Sequence, residues 1–563
     1  MTDRLLECVP NFSEGRDQAV IREITDRIES VEGVTLLDVD PGRATNRTVV
    51  TFVGTPEAVV EAAFRATQRA AEVIDMRRHR GEHPRFGATD VCPLVPIANV
   101  TMKETAELAR ALAKRIGEEL AIPVYCYEHA ALSPERCNLA DVRSGEYEGL
   151  PKKLADPAWR PDFGPAEFNA RAGATAVGAR DFLVAFNVNL NTTSTRRANA
   201  VAFDVRERGR MKRAGDPLTG EIVRDEHGEP VWIPGSLESV KAIGWYIEEY
   251  GIAQVSMNLT NLSVTPLHVA FDEVCRSAEA RGLRVTGSEI VGLVPLKVVL
   301  DAGEYFLKKQ RRSLGVSERE IVKIAARSLG LNDLYPFKPE EKIIEYRLAK
   351  DCPAKRVDRS VAAFVGDVAS ESPAPGGGSV AAAVGALGAA LGAMVANLSS
   401  HKRGWDDRWE EFSDVAVHAK RCYAELLRLV DDDAEAFDAV LAAHRMPATT
   451  DQERIAKEKA LEAATKRAME VPMDIADTAY QSMDVIAQMA EHGLESSVSD
   501  AGVGALCAAA AVRGAVLNVR INSAELSDRK YADELVGKAE LMEREALEKE
   551  GEILEIVRKR MGG

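Results

Sequence analysis

From Val380 to Leu398 the chain carries no charged side chain and is built mainly of alanine and glycine. That stretch limits the fold more than any other. Its length permits a membrane crossing. Alanine and glycine are only weakly hydrophobic, however, no aromatic belt flanks the run, and no second convincing span accompanies it. Gly385, Gly388 and Gly392 instead suit helices that approach closely, as in a bundle or an oligomer core. The surrounding patterns agree. Arg408 to Ala443, Asp451 to Gly493, Asp500 to Asn518 and the charged tail Glu525 to Arg560 read as long helices, and strand signals are nearly absent. Residues 359–563 are therefore expected to form an all-α helical bundle with no membrane partner.

The chain before this region has a different rhythm. Short apolar runs such as Leu36-Leu37-Asp38-Val39-Asp40, Val49-Val50-Thr51-Phe52-Val53 and Val184-Ala185-Phe186-Asn187-Val188 alternate with helical patterns. This predicts a layered α/β (α+β) region, divided into subdomains at 1–180 and 181–331. Ser13 or Asp17 could cap the first helix. Residues 206–234 are charged and turn-rich, which suggests an exposed hairpin insertion. Residues 332–358, with three prolines and many charges, read mainly as a connection holding one short helix from Glu340 to Leu348.

Gly81-Glu82-His83-Pro84-Arg85 gathers an imidazole, a carboxylate and a cation between helix breakers, and so predicts an ordered loop. Imidazole titrates near neutrality and can both take and give a proton. The bland alternative is a capping or surface histidine. His79 to His83 also fits an H-x-x-E-H zinc pattern, which needs a continuous helix. Gly81 and Pro84 argue against that helix, and no metal is expected. Asp40 falls where a strand meets Pro41-Gly42, a usual place for either a functional or a turn-making carboxylate. The glycines and small residues between 164 and 178 let backbone approach a flat ligand, or serve as a linker. Gly376-Gly377-Gly378-Ser379, ahead of the uncharged helix, suggests an anion site at a helix N-terminus. It lacks the Lys-Ser/Thr pair of a P-loop.

With 563 residues, two to four domains are expected. The net charge of −16 disfavours nucleic-acid partners and points to small-molecule chemistry. The eight cysteines are scattered without a C-x-x-C pair, which fits reduced thiols in the cytoplasm. No apolar signal segment follows Met1.

Two signatures carry a resemblance. Glu7-Cys8-Val9-Pro10-Asn11-Phe12-Ser13-Glu14-Gly15, Asn46-Arg47-Thr48, Gly81 to Arg85 and Gly292-Leu293-Val294-Pro295 resemble glutamate formimidoyltransferase over most of residues 1–348. Pro373 to Ser379, the Ala/Gly helix and Ser499-Asp500 through Asn522 resemble the formimidoyltetrahydrofolate cyclodeaminase family, which includes methenyltetrahydrofolate cyclohydrolases. Their order and length are similar to the bifunctional formimidoyltransferase-cyclodeaminase family. The resemblance implies ferredoxin-like layers in the first half and two substrates, N-formimino-L-glutamate and tetrahydrofolate. The folate would be a co-substrate, polyglutamylated. It also implies a homo-oligomer built from dimers.

The family's transferase histidine falls on His83, with Asp40 as an orienting carboxylate or a cation ligand. Its folate stretch falls on Gly164, Pro165, Ala166, Glu167, Phe168, Asn169, Ala170, Arg171, Ala172 and Gly173. Gly376, Gly377, Gly378 and Ser379 are candidates for holding folate in the second half. Arg47 and Arg85 are candidates, on charge, for gripping substrate carboxylates. The cyclodeaminase aspartate, counted without gaps from Ser379, lands on Trp409. Asp406, Asp407, Glu410 and Glu411 are near it, and Asp500 opens the better-matched helix. Asp407 and Asp500 are the candidate acids, against the ordinary alternative of a solvated helix start. The Trp409 departure leaves room for a second half that acts as a cyclohydrolase or only as a folate-binding scaffold.

Overall fold

The structure is a computed structural model that describes residues 4–43, 46–81, 84–215, 220–248, 250–351 and 356–562. The chain forms two compact units, Met1–Pro295 and Leu296–Gly563.

The first unit is layered. Its strands are β1 (Leu5–Cys8), β2 (Asn11–Phe12), β3 (Val34–Gly42), β4 (Arg47–Gly54), β5 (Thr89–Ala98), β6 (Val124–Glu128) and β7 (Thr175–Ala179). They build one seven-stranded sheet, antiparallel except where β7 runs parallel to β5 and β6. Helices α1 (Gln18–Glu29), α2 (Pro56–Val73) and α3 (Met102–Leu120) pack on it, with the short α4 (Leu139–Val142) and α5 (Glu146–Ala155) following. Asp17 caps α1 by accepting from Ala19 N at 2.9 Å, and Thr101 with Glu104 closes a capping box on α3. Ser13, the other candidate cap, is buried and donates to Gly87 O at 2.7 Å.

A second sheet follows in the same unit. Strand β8 (Val184–Leu190) and helix α6 (Thr195–Val205) come first. The insertion then forms a small hairpin of β9 (Arg210–Met211) and β10 (Trp232–Ile233). Strands β11 (Val240–Ile247), β12 (Ile252–Leu259) and β13 (Val285–Val291), with α7 (Leu267–Ala280), complete the layer. The order is β11-β12-β8-β13, all antiparallel. The mixed sheets and covering helices agree with the α/β (α+β) reading.

The second unit is helical among its described residues. It begins with α8 (Leu296–Lys309), α9 (Glu318–Ser328), α10 (Pro339–Lys342) and α11 (Ile344–Asp351). Glu345 is buried and accepts from Leu296 N at 2.7 Å, which ties α11 to the start of α8. The bundle proper is α12 (Val361–Val368), α13 (Gly377–Ser399), α14 (Trp409–Arg445), α15 (Asp451–His492), α16 (Val498–Ser523) and α17 (Arg529–Arg560).

The uncharged run is α13, and its glycines explain the packing. A Cβ on Gly388 would lie 2.8 Å from Gly504 O, so α13 and α16 cross with backbones nearly touching. Gly377 faces Asn518 while Gly388 faces Gly504, so the two helices run antiparallel. Their large apolar residues point the other way. Leu387 and Leu517 are each more than 60% exposed, and Ile521 is 70% exposed. The expectation of a single apolar span needs correcting. Both Gly377–Ser399 and Glu495–Ser523 are long and apolar enough to cross a membrane, and more than half of each apolar window is buried in the bundle.

Candidate active sites

The first site is built on the loops that lead into β4, β5 and β7 of the seven-stranded sheet. His83 lies outside the described residues, and so does Glu82. The residues on either side are tightly held. Asn46 sits at φ +51° and makes three bonds. Its carbonyl accepts from His79 Nε2 at 2.7 Å, its Nδ2 donates to Arg80 O at 3.0 Å, and its Oδ1 accepts from Gly15 N at 3.0 Å. His79 is buried, and burial lowers its imidazole pKa, so it is a neutral structural group.

The folate-matched stretch closes against the other side. Gly173 has φ +71°, and its missing Cβ would sit 2.4 Å from Phe86 O. Gly87 and Gly173 form an antiparallel bridge, and Ala88 N donates to Ala172 O at 2.8 Å. Asn169 Oδ1 accepts from Arg171 N and Ala172 N, and Arg171 donates to the carbonyls of Ala71 and Glu72. Tyr147 hydroxyl donates to Ala170 O, and its ring lies 5.4 Å from that of Phe168. The structure thus brings residues 164–173 to the segment that follows His83. Phe168 is exposed at the surface of the stretch, together with Ala166 and Glu167.

The two arginines proposed from charge are both engaged. Arg85 binds Glu148 through Nη2 at 2.6 Å, donates to Met76 O at 2.7 Å and to His79 O, and stacks over Tyr147 at 4.5 Å. It is a strut for the loop. Arg47 binds Asn11 Oδ1 at 2.9 Å and the carboxylate of Asp90. Asp40 is exposed on β3, opposite Val49, and makes no side-chain hydrogen bond or ion pair among the described residues.

Beside these loops is a cleft of about 580 Å³ between the two sheets of the first unit. Asn11, Glu128, His129, Arg143, Arg180 and Lys241 are among its lining residues. Burial raises the Glu128 carboxyl above its usual range. The sequence reading missed Asp90 and Arg143, which sit between the cleft and the loop. A carboxylate opening an otherwise apolar strand was the available signal for Asp90.

In the helical unit the glycine turn has one partner that the sequence did not suggest. Ser379 Oγ donates to Asp433 Oδ2 at 2.8 Å. A Cβ on Gly378 would fall 2.0 Å from Asp433 Oδ1, so only glycine admits the carboxylate to the first turn of α13. Burial raises the Asp433 carboxyl pKa, opposed by its bonds from Ser379. Asp431, two residues earlier, is buried and accepts from Arg356 N at 2.8 Å. Asp432 pairs with Arg428 and Arg467.

Asp407 and Asp500 are not brought to this turn. Asp407 is exposed in a single 3-10 turn beyond the C-terminal end of α13. Asp500 is half-buried in the first turn of α16, the end that meets the C-terminal half of α13. Asp500 lies eighteen residues before Asn518, the α16 residue that faces Gly377, so about 27 Å of helix separates it from the glycine turn at 1.5 Å per residue. The run Asp431-Asp432-Asp433 was the sequence signal. Within a long helix it reads as a solvated face.

Residues 5–180 match the family model of the formiminotransferase domain, N-terminal subdomain, and residues 185–349 that of the formiminotransferase domain. Residues 360–541 match formiminotransferase-cyclodeaminase. The chain is 44% identical to the formimidoyltransferase-cyclodeaminase of Gallus gallus over 532 residues, 94% of each protein. The chain belongs to the formimidoyltransferase-cyclodeaminase family. Members of narrower function are also similar. The glutamate formimidoyltransferase of Streptococcus pyogenes serotype M1 is 43% identical over 305 residues, 54% of this chain and 94% of that one. The methenyltetrahydrofolate cyclohydrolase of Methylorubrum extorquens is 35% identical over 177 residues, 31% of this chain and 85% of that one. The family thus spans the transferase and cyclodeaminase signatures read from the sequence.

Proposed function

We propose that the chain transfers the formimino group of N-formimino-L-glutamate to N5 of tetrahydrofolate, then closes the ring to 5,10-methenyltetrahydrofolate with release of ammonia. The near full-length match to a two-function relative carries this reading. In the first step N5 attacks the amidine carbon. One proton leaves N5, and one must reach the departing glutamate nitrogen. His83 serves as base and then as acid, with residues 164–173 holding the folate beside it. Asp40 orients the imidazole or binds the cationic donor.

In the second step N10 adds to the formimino carbon and loses its proton, and the formimino nitrogen leaves as ammonia after gaining one. Asp433 supplies that proton in place of Asp407 and Asp500. It is the half-buried carboxylate at the glycine turn, and its raised pKa keeps a proton available closer to neutrality. Gly376–Ser379 place backbone N–H groups there for an anionic part of folate, with polyglutamylated folate the preferred form.

The chain works in the cytoplasm as a homo-oligomer. The exposed face of α13 and α16, with Leu387, Met394, Leu506, Leu517 and Ile521, supports burial against a second copy.

The deciding assay mixes the protein with both substrates and follows glutamate, ammonia and methenyltetrahydrofolate together. All three in step support both halves. Glutamate without ammonia leaves the transferase alone, and hydrolysis of methenyltetrahydrofolate without ammonia marks a cyclohydrolase. His83→Ala should slow transfer by roughly 10²-fold or more while folate still binds. An unchanged rate removes His83 from the mechanism.

A further inference from the structure

Asp90 is fully buried and holds two guanidinium groups. Arg47 binds it from one side. Arg143 Nη2 binds it from the other, at 2.9 Å from Oδ2 and 3.2 Å from Oδ1. The same Nη2 donates to Pro84 O at 2.8 Å, and Pro84 directly follows His83 in the chain. One carboxylate between two cations leaves one net positive charge in a place of low water content. An uncompensated charge there is costly unless something anionic reaches it.

The geometry decides where the anion enters. Arg47 is spent on Asp90 and Asn11, and Arg85 on Glu148, Tyr147 and two carbonyls. Arg143 lines the 580 Å³ cleft with 19% of its side chain exposed. Its Nε and Nη1 have no hydrogen-bond partner among the described residues. Arg180, also on the cleft, donates to the backbone carbonyl of Asp181 at 3.0 Å and lies within electrostatic reach of Glu7 and Glu128.

We propose that Arg143, held in plane by Asp90, is the carboxylate receptor of the transferase site and grips one of the two carboxylates of the glutamyl donor. This rests on the reading that the donor is N-formimino-L-glutamate. The bond to Pro84 O couples the grip to the backbone next to His83, so binding the donor and placing the imidazole depend on one guanidinium.

The test uses the full chain with Arg143→Gln and Arg143→Lys. KM for N-formimino-L-glutamate should rise about 10- to 100-fold in the Gln variant and less in the Lys variant, the loss expected for a charged hydrogen bond. Tetrahydrofolate affinity should stay within about twofold. The same assay is run with donors in which the α- or the γ-carboxylate is an amide. One amide should depress the wild-type rate by a similar factor and be insensitive to Arg143→Gln. An arginine that only held the loop would lower kcat equally for all three donors, and that outcome overturns the proposal. So does a donor KM within twofold of wild type. If the Gln variant does not fold, the Lys variant with the three donors decides the same question. A wild-type protein that transfers nothing from any of the donors rejects the transferase reading itself, a result separate from loss in the variants alone.

Discussion

Ser379 and Asp433 lie 54 positions apart, and a 2.8 Å hydrogen bond joins them at the first turn of α13. The bond exists because Gly378 has no Cβ to hold the carboxylate away. It turns a triple-glycine turn, which alone is only a row of free N–H groups, into a turn with a half-buried acid.

Asp433→Asn tests that acid. The amide keeps the shape and still accepts from Ser379, but it cannot donate a carboxyl proton. Ammonia release should fall by about 10²-fold or more while glutamate release stays within twofold. Parallel Asp407→Asn and Asp500→Asn variants should release ammonia normally. If either of those stops it and Asp433→Asn does not, the acid belongs at the opposite end of the bundle.

Glu7 gives a pH test of stability in the first unit. Burial pushes its carboxyl up to about 7, against the opposing charge of Arg180. Below the usual carboxylate range both folded and unfolded chains hold the proton, so stability is unaffected. As pH rises toward 7 the unfolded chain releases it and the folded chain does not, so stability falls. The loss amounts to about 3 kcal/mol at most, at 1.36 kcal/mol per pKa unit, and levels off above pH 7. Denaturant unfolding at pH 5 and pH 8 should show this drop in wild type and a smaller one in Glu7→Gln. Equal slopes would mean that Glu7 is solvated in the folded state.

Gly173→Ala should uncouple the folate stretch from the catalytic loop. The left-handed φ costs about 1–2 kcal/mol for a residue with a Cβ, and the added carbon would also press on Phe86 O. Thermal unfolding should shift down and tetrahydrofolate affinity should fall in the same variant. A variant that melts lower but binds folate normally would separate the stretch from the ligand.

Leu517→Lys combined with Leu387→Lys probes the exposed apolar face of the bundle. Both side chains are mostly open to solvent within one chain, so the substitutions should leave helix content unchanged. Sedimentation velocity should report a smaller assembly than wild type. An unchanged mass would place the contact between copies elsewhere.

Much of this protein was readable from local pattern. The change of period near residue 360, the uncharged glycine-spaced helix and the helix caps depend on neighbours in sequence. The physics of turns, caps and helix faces acts over three or four residues, and so those features determined which stretches are layered and which are helical, whereas the division into two units at Pro295 and Leu296 was set by packing. His83, which lies outside the described residues, was legible as a candidate for the same reason, because imidazole chemistry and the breakers around it lie together. The site partners were not. Asp90 meets Arg47 across 43 positions and Arg143 across 53, and Asp433 meets Ser379 across 54. In sequence Arg143 is one of many surface-like arginines, and Asp433 is the last of three consecutive aspartates on a helix. Only their tertiary partners, Asp90 for Arg143 and Ser379 for Asp433, separate them from their neighbours. Burial is set by which elements pack together, and packing was also what spent Arg47 on buried Asp90 and Arg85 on exposed Glu148 and left Arg143 facing the cleft.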